Sequence, residues 1–141
     1  MSLVPPWMAH AQGELGTEEV PGPGDNPRIV EYHMACDDTV TDDEVAWCSS
    51  FVNWCMMQSG IERTRSRAAR SWMGWGSGLL VPCYGCVGVI WREAIDSWKG
   101  HVGFVVDQTD SHIVMLGGNQ GNEVSVRRYA KGRLLGYRMP S

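Results

Sequence analysis

VAWCSSFVNWC, residues 45–55, holds two of the five cysteines of the chain and begins an apolar run. The preceding residues favour a helix start, because Thr41 or Asp42 can cap it and acidic residues complement its dipole. Gly60 suits the position just past the helix end. Apolar and small residues recur at spacings of three and four, namely Cys48, Phe51, Val52, Cys55, Met56 and Ser59. We therefore predict a helix that buries this face.

Cys48 lies near the start of the predicted helix. Free N–H groups and the helix dipole favour an anion there, and thiols at such positions have pKa values lowered to roughly 3.5–7.5. The functional interpretation of Cys48 is a thiolate nucleophile. The alternative, from the helix alone, is a small buried apolar residue. Cys55 lies two turns further on beside two methionines, and we predict that it belongs to the core.

Two later segments supply a base and a polar partner. His101 opens the strand-like segment GHVGFVVDQ, and Asn119 closes HIVMLGGN. If these segments form a hairpin that turns at residues 109–111, the numbers of two residues that face each other across the strands add up to about 220. His101 and Asn119 meet this condition, so they are expected to be cross-strand neighbours on one face. The amide oxygen can then hold the imidazole in the tautomer that presents its other nitrogen to a thiol. We predict that His10 and His112 are structural or solvated.

The order of the elements predicts the fold class. Short helices are expected at Pro6–Leu15 and Pro27–Met34, ahead of the helix that carries Cys48. Short Val- and Ile-rich segments follow, namely CVGVIWR, HVGFVVDQ, HIVMLGGN, EVSVRRYA and LLGYRMP. Helices followed by strands indicate an α+β fold, with N-terminal helices packed on an antiparallel β-meander of about five strands.

The length of 141 residues fits one domain, 1–141, in which residues 1–5 are expected to be disordered or foreign to the natural sequence. A net charge of −4 and the absence of a basic block exclude the electrostatic footprint of a nucleic-acid-binding protein. The start of the chain has no signal-peptide pattern, and the sequence has no apolar run of membrane-span length. We therefore expect synthesis in the cytoplasm, no stable membrane insertion, and thiols rather than disulfides.

Three sequence blocks, AWCSSFVNW, GHVGFVV and LGGNQGN, resemble in this order the cysteine, histidine-dependent amidohydrolases/peptidases (CHAP) and the related NlpC-type enzymes that cut bacterial peptidoglycan. The resemblance is closest to a small group of phage- and prophage-encoded proteins and extends from Trp7 to Pro140. It implies a papain-like core in which a helix bearing the cysteine packs on an antiparallel sheet bearing the histidine. The nucleophile of the family falls on Cys48, its base on His101 and its third polar residue on Asn119, with Gln120 as the alternative.

This resemblance implies hydrolysis of an amide bond in peptidoglycan, within the stem peptide or cross-bridge or at the N-acetylmuramoyl-L-alanine junction. The expected chemistry is a Cys–His nucleophilic mechanism through a thioester, and it requires neither a metal nor a cofactor. The expected partner is bacterial peptidoglycan. A protein of this kind made without a signal peptide would act on the wall after release through a membrane lesion or after delivery by a secretion machine.

Two other classes of function compete with this hypothesis. One is a catalytically silent wall-binding module that keeps the fold. The other is an interaction domain stabilised by a structural zinc ion. Three cysteines and one histidine could supply four tetrahedral zinc ligands, namely His33, Cys36, Cys83 and Cys86. The CxxC spacing of Cys83 and Cys86 also suits redox exchange or a disulfide, and the remaining alternative is that these cysteines are ordinary core or loop thiols. Four of the seven tryptophans are predicted to be core residues rather than a ligand platform, namely Trp47, Trp54, Trp72 and Trp75.

Overall fold

The computed structural model describes residues 4–20, 25–37 and 46–141, and these form an α+β fold. The helices are α1 (Pro6–Gly13), α2 (Pro27–His33) and α3 (Cys48–Gln58), with short 3₁₀-helices at Ala69–Gly74 and Lys131–Arg133. The strands are β1 (Ser77–Leu79), β2 (Val87–Trp91), β3 (Gly100–Gln108), β4 (His112–Gly117), β5 (Ser125–Ala130) and β6 (Leu134–Met139). The predicted fold class is confirmed, and both N-terminal helices end slightly earlier than expected.

The helix α3 carries Cys48 as its first residue and is buried along most of its length. The predicted cap, Thr41 or Asp42, lies outside the described residues. The C-terminal end is as predicted, because Gly60 adopts a left-handed φ of 70° and its N–H donates to Met57 O at 3.1 Å. All residues from 48 to 56 are buried, so α3 is a central helix and not a one-faced surface helix.

The sheet is antiparallel, and its described strands lie in the order β1-β6-β2-β3-β4-β5. Strands β2 to β5 form the predicted meander. Two features differ from the prediction of about five strands: β1 is an additional strand, and β6 returns between β1 and β2. The side chains explain this placement. The exposed arginines of β5, Arg127 and Arg128, suit an edge strand, whereas the more apolar β6 suits a position with neighbours on both sides.

The register of the β3–β4 hairpin is as predicted near its centre. Phe104 pairs with Leu116 and Val105 with Met115, and both pairs sum to 220. A bulge between Val105 and Asp107 changes the register towards the turn. At the other end β4 stops at Gly117, so the predicted cross-strand pair of His101 and Asn119 does not form.

The core between the helices and the sheet positions the catalytic candidates. It contains large, fully buried aromatic side chains, namely Tyr32, Trp47, Phe51, Trp72 and Phe104. Trp72 Nε1–H also donates to Ser49 Oγ at 2.9 Å, which ties the first turn of α3 to the first 3₁₀-helix. The prediction that tryptophans belong to the core is confirmed for Trp47, Trp54 and Trp72, and Trp75 packs against this core while partly exposed. No described helix is long and apolar enough to span a membrane.

Candidate active site

Cys48 and His101 face each other where the start of α3 meets β3. Cys48 is 5% exposed. Burial alone would raise the pKa of the Cys48 thiol, but the charge and hydrogen bonding of His101, together with the backbone N–H groups of Val102 and Ser49, outweigh burial and lower it. The electrostatics therefore favour a thiolate at Cys48.

The pKa of His101 moves in the opposite direction. Burial, with the residue 7% exposed, would lower it, but the charge and hydrogen bonding of Cys48 and the hydrogen bond that Gln120 Oε1 accepts from the ring raise it above its ordinary value. A lowered thiol pKa beside a raised imidazole pKa favours a thiolate–imidazolium pair over the neutral thiol and imidazole.

Gln120 holds the His101 ring in one orientation. His101 Nε2 lies 2.9 Å from Gln120 Oε1. The orientation of the Gln120 amide is itself determined, because its Nε2 group donates to Met115 O at 3.2 Å and to Ser125 O at 2.8 Å. Only Gln120 Oε1 is left to face the ring, so His101 Nε2 must carry a proton and donate it. Nδ1 is then the nitrogen available to the thiol of Cys48.

The first choice for the third residue, Asn119, does not occupy this position, and the alternative, Gln120, does. The chain leaves the strand at Gly117, and Asn119 adopts a left-handed φ of 58°. Side-chain alternation along β4 therefore ends before Asn119, and the side chain of the next residue, Gln120, reaches the His101 ring. The adjacent Gly117 leaves space for this, since a Cβ there would lie 2.8 Å from Gln120 Oε1. Asn119 lines the cavity beside the ring instead.

Tyr129 is a part of the site that the sequence analysis missed. Its hydroxyl lies 3.2 Å from His101 Nε2, and the two ring centroids are 5.3 Å apart. Burial, with a contribution from the charge of Cys48, raises the pKa of Tyr129 to about 12, so the hydroxyl stays protonated. The usable signal was strand alternation, which places Tyr129 on the same face of β5 as Ser125, a residue that accepts from Gln120.

Two adjoining cavities meet at Cys48 and Arg92. The larger, of about 360 Å³, is lined by Cys48, Arg92, His101, Asn119, Gln120, Gly121, Asn122, Tyr129 and Arg133. The smaller, of about 140 Å³, is lined by Ala46, Cys48, Arg67, Ala68, Ala69, Arg92, Trp98, Lys99 and Gly100. The thiol therefore borders a cleft that extends to both sides of it.

The other cysteines and His33 do not form a second reactive centre. His33 Nδ1 lies 2.7 Å from Ser50 Oγ, and Cys36 Sγ contacts the same hydroxyl at 3.7 Å. Cys83 and Cys86 form a separate turn, and none of the five cysteines is in a disulfide. Among residues 4–20, 25–37 and 46–141 no three metal-ligating side chains cluster, so the zinc set is wrong. Cys55 is a core residue as predicted, and burial raises its pKa well above the usual value.

Chemically, this arrangement provides a nucleophilic sulfur, an acid–base group and a fixed ring partner, the three parts that cysteine hydrolases use to transfer an acyl group. Neither a protein family model nor a curated protein matches the chain. A similar fold occurs in a protein of Staphylococcus aureus subsp. aureus Mu50, described as similar to lipoprotein of the NLP/P60 family. The TM-score is 0.56 at 15% sequence identity, and the match covers 96% of this chain but 41% of that one. The chain therefore spans less than half of that protein, and its fold is NlpC/P60-like.

Proposed function

We propose that this protein is a cysteine amidohydrolase that cleaves an amide bond in bacterial peptidoglycan. The observation that carries the proposal is the pairing of Cys48 with His101, whose pKa values move in opposite directions while Gln120 holds the ring. The NlpC/P60-like fold and the three sequence blocks that resemble CHAP and NlpC-type enzymes support peptidoglycan as the substrate. The blocks also support an origin among phage or prophage lysins.

In the acylation step, the Cys48 thiolate attacks the carbonyl carbon of the scissile amide. The oxyanion that forms accepts a hydrogen bond from the backbone N–H of Cys48, because N–H groups in the first turn of a helix have no acceptor within the helix. His101, protonated on both nitrogens, gives its Nδ1 proton to the amide nitrogen. The C–N bond breaks, the amine leaves, and a thioester remains on Cys48.

In the deacylation step, neutral His101 removes a proton from water. The resulting hydroxide attacks the thioester, the C–S bond breaks, and the carboxylic acid product leaves. The thiolate–imidazolium pair is then restored. Gln120 acts as a positioning residue through the His101 ring, and the Tyr129 hydroxyl restrains the ring from the side of β5.

Cleavage of either a stem-peptide or cross-bridge bond or the N-acetylmuramoyl-L-alanine bond fits this mechanism, since each is an amide. The protein would meet this substrate after release through a membrane lesion or after delivery to the wall. The experiment is digestion of purified peptidoglycan, with mass spectrometry of the soluble fragments to identify the bond that is cut. We expect fragments with one new amino group and one new carboxyl group per cut from the wild type, and none from Cys48→Ala.

The same experiment tests the silent wall-binding module. If the wild type sediments with peptidoglycan but releases no fragments, the protein is a binding module and the proposed hydrolase activity is wrong. If Cys48→Ala releases the same fragments as the wild type, the Cys–His mechanism is wrong.

A further inference from the structure

The cleft at Cys48 is basic in a protein whose net charge is −4. The two cavities are lined by four cationic side chains, namely Arg67, Arg92, Lys99 and Arg133. Among the described residues, neither cavity is lined by a carboxylate. A narrow cleft lined by one sign of charge concentrates the field and attracts groups of the opposite sign. The charge distribution alone therefore points to an anionic group on the ligand.

Arg133 is held in place by contacts that leave much of its hydrogen-bonding capacity unused. Its Nε–H donates to Trp91 O at 3.2 Å, and its guanidinium lies 5.7 Å from the Tyr129 ring centroid and 6.0 Å from that of Trp91. No carboxylate among the described residues forms an ion pair with Arg133. A guanidinium held in this way loses little entropy when it binds a planar carboxylate.

Arg92 borders both cavities and stands directly after β2. It too has no ion-pair partner among the described carboxylates, whereas Lys99, on the rim of the smaller cavity, pairs with Glu93 at 2.9 Å. Burial is the main factor that lowers the pKa of His101, and the charge of Arg92 acts in the same direction. Arg92 thus opposes the imidazolium in the free protein. An anion bound beside Arg92 would offset this repulsion.

We propose that the larger cavity binds a carboxylate of the peptide substrate next to the scissile amide, with Arg133 as the specificity-determining residue and Arg92 as a second contact. This inference rests on the proposed function and adds a substrate class to it, namely peptides with a free carboxylate beside the cleaved bond. Asn119 and Asn122 line the same cavity, and their side-chain amides are suited to hydrogen bonds with the peptide groups that flank this carboxylate.

The test compares two ligands of the same shape. One is a synthetic stem tetrapeptide with free carboxylates, and the other is the same peptide with every carboxylate converted to a carboxamide. Isothermal titration calorimetry with the full chain carrying Cys48→Ser measures binding without turnover. We expect the carboxylate peptide to bind at least about tenfold more tightly, since charged bidentate hydrogen bonds are stronger than neutral ones.

Arg133→Gln, added to Cys48→Ser, should reduce this preference to less than about threefold. The matched control is Arg128→Gln, which makes the same change on exposed β5 outside the cavity and should keep the full preference. Equal affinity for the two peptides, no measurable binding of either, or a preference that survives Arg133→Gln would overturn the proposal. Failure of the proposed function gives a different result. In that case Cys48→Ser still binds the carboxylate peptide more tightly, but the wild type shows no Cys48-dependent cleavage of peptidoglycan.

Discussion

At the scale of single residues, the coupling of Cys48 and His101 predicts unusual thiol reactivity. The thiolate fraction of an ordinary cysteine falls about tenfold for each pH unit below its pKa, whereas the lowered pKa of Cys48 keeps it ionised further into the acid range. We expect iodoacetamide at about pH 6 to label Cys48 faster than the exposed Cys83, as measured by peptide mass spectrometry. His101→Ala removes the charge that lowers the Cys48 pKa and should slow this labelling. Slower labelling of Cys48 than of Cys83 in the wild type would contradict the ion pair.

Gln120 should control the alkaline limb of the pH–activity profile. Its hydrogen bond is one of the causes that raise the pKa of His101, and activity that depends on the imidazolium is lost as pH rises through this pKa. Gln120→Ala should therefore move the alkaline limb to lower pH and reduce kcat by roughly tenfold or more. Asn119→Gly, which keeps the left-handed backbone, should leave the position of this limb unchanged. If Asn119→Gly shifts the limb and Gln120→Ala does not, the assignment of the ring partner is wrong.

At the scale of elements, the first turn of α3 is held against the loop that follows β4. A Cβ on Gly118 would lie 2.7 Å from both Phe51 Cβ and Trp47 Cζ3, so no side chain fits there without movement. We expect Gly118→Ala to lower the free energy of unfolding by about 1–3 kcal/mol, measured by urea denaturation. Because the same contact places Cys48 near His101, activity should fall as well. The control is Gly13→Ala in α1, where a Cβ meets nothing within 4 Å.

The difference between Asn119 and Gln120 shows how far the sequence predicts this site. Local patterns predicted α3 and the hairpin of β3 and β4, because helical spacing and strand alternation extend through them. The position of Cys48 at a helix start and the family resemblance together pointed to Cys48 and His101. Alternation fails where β4 ends, because Gly117, Gly118 and a left-handed Asn119 lead into the loop towards β5. Tyr129 and Arg133 were not linked to the site, because strand alternation gives the face of β5 on which Tyr129 lies but not the distance of that face from His101, and Arg133 lies in the short 3₁₀-helix after β5.

At the scale of the whole molecule, β6 joins β1 to the rest of the sheet. Among the described strands β1 pairs only with β6, and Arg138 of β6 donates to Trp75 O at 2.7 Å and to Gly76 O at 3.0 Å. Deletion of residues 134–141 should therefore abolish cooperative thermal unfolding and the near-ultraviolet circular dichroism of the buried tryptophans. Deletion of Ser141 alone, an exposed residue, should preserve both. A cooperative transition in the longer deletion would show that β2 to β5 and the helices form an independent folding unit.

The position of β6 also determines the order in which parts of the sheet can pair during translation. The helices and β2 to β5 emerge from the ribosome before β6, yet β1 and β2 pair with residues of β6 that are synthesised 44 to 62 positions later. Until β6 arrives, a nascent chain presents the edge of β2 without its second neighbour, a surface prone to mispairing with other chains. Arg133 enters the cleft only with the turn that begins β6. On the ribosome, Arg67, Arg92 and Lys99 therefore emerge before His101, and Arg133 is the last cationic side chain of the cleft to emerge.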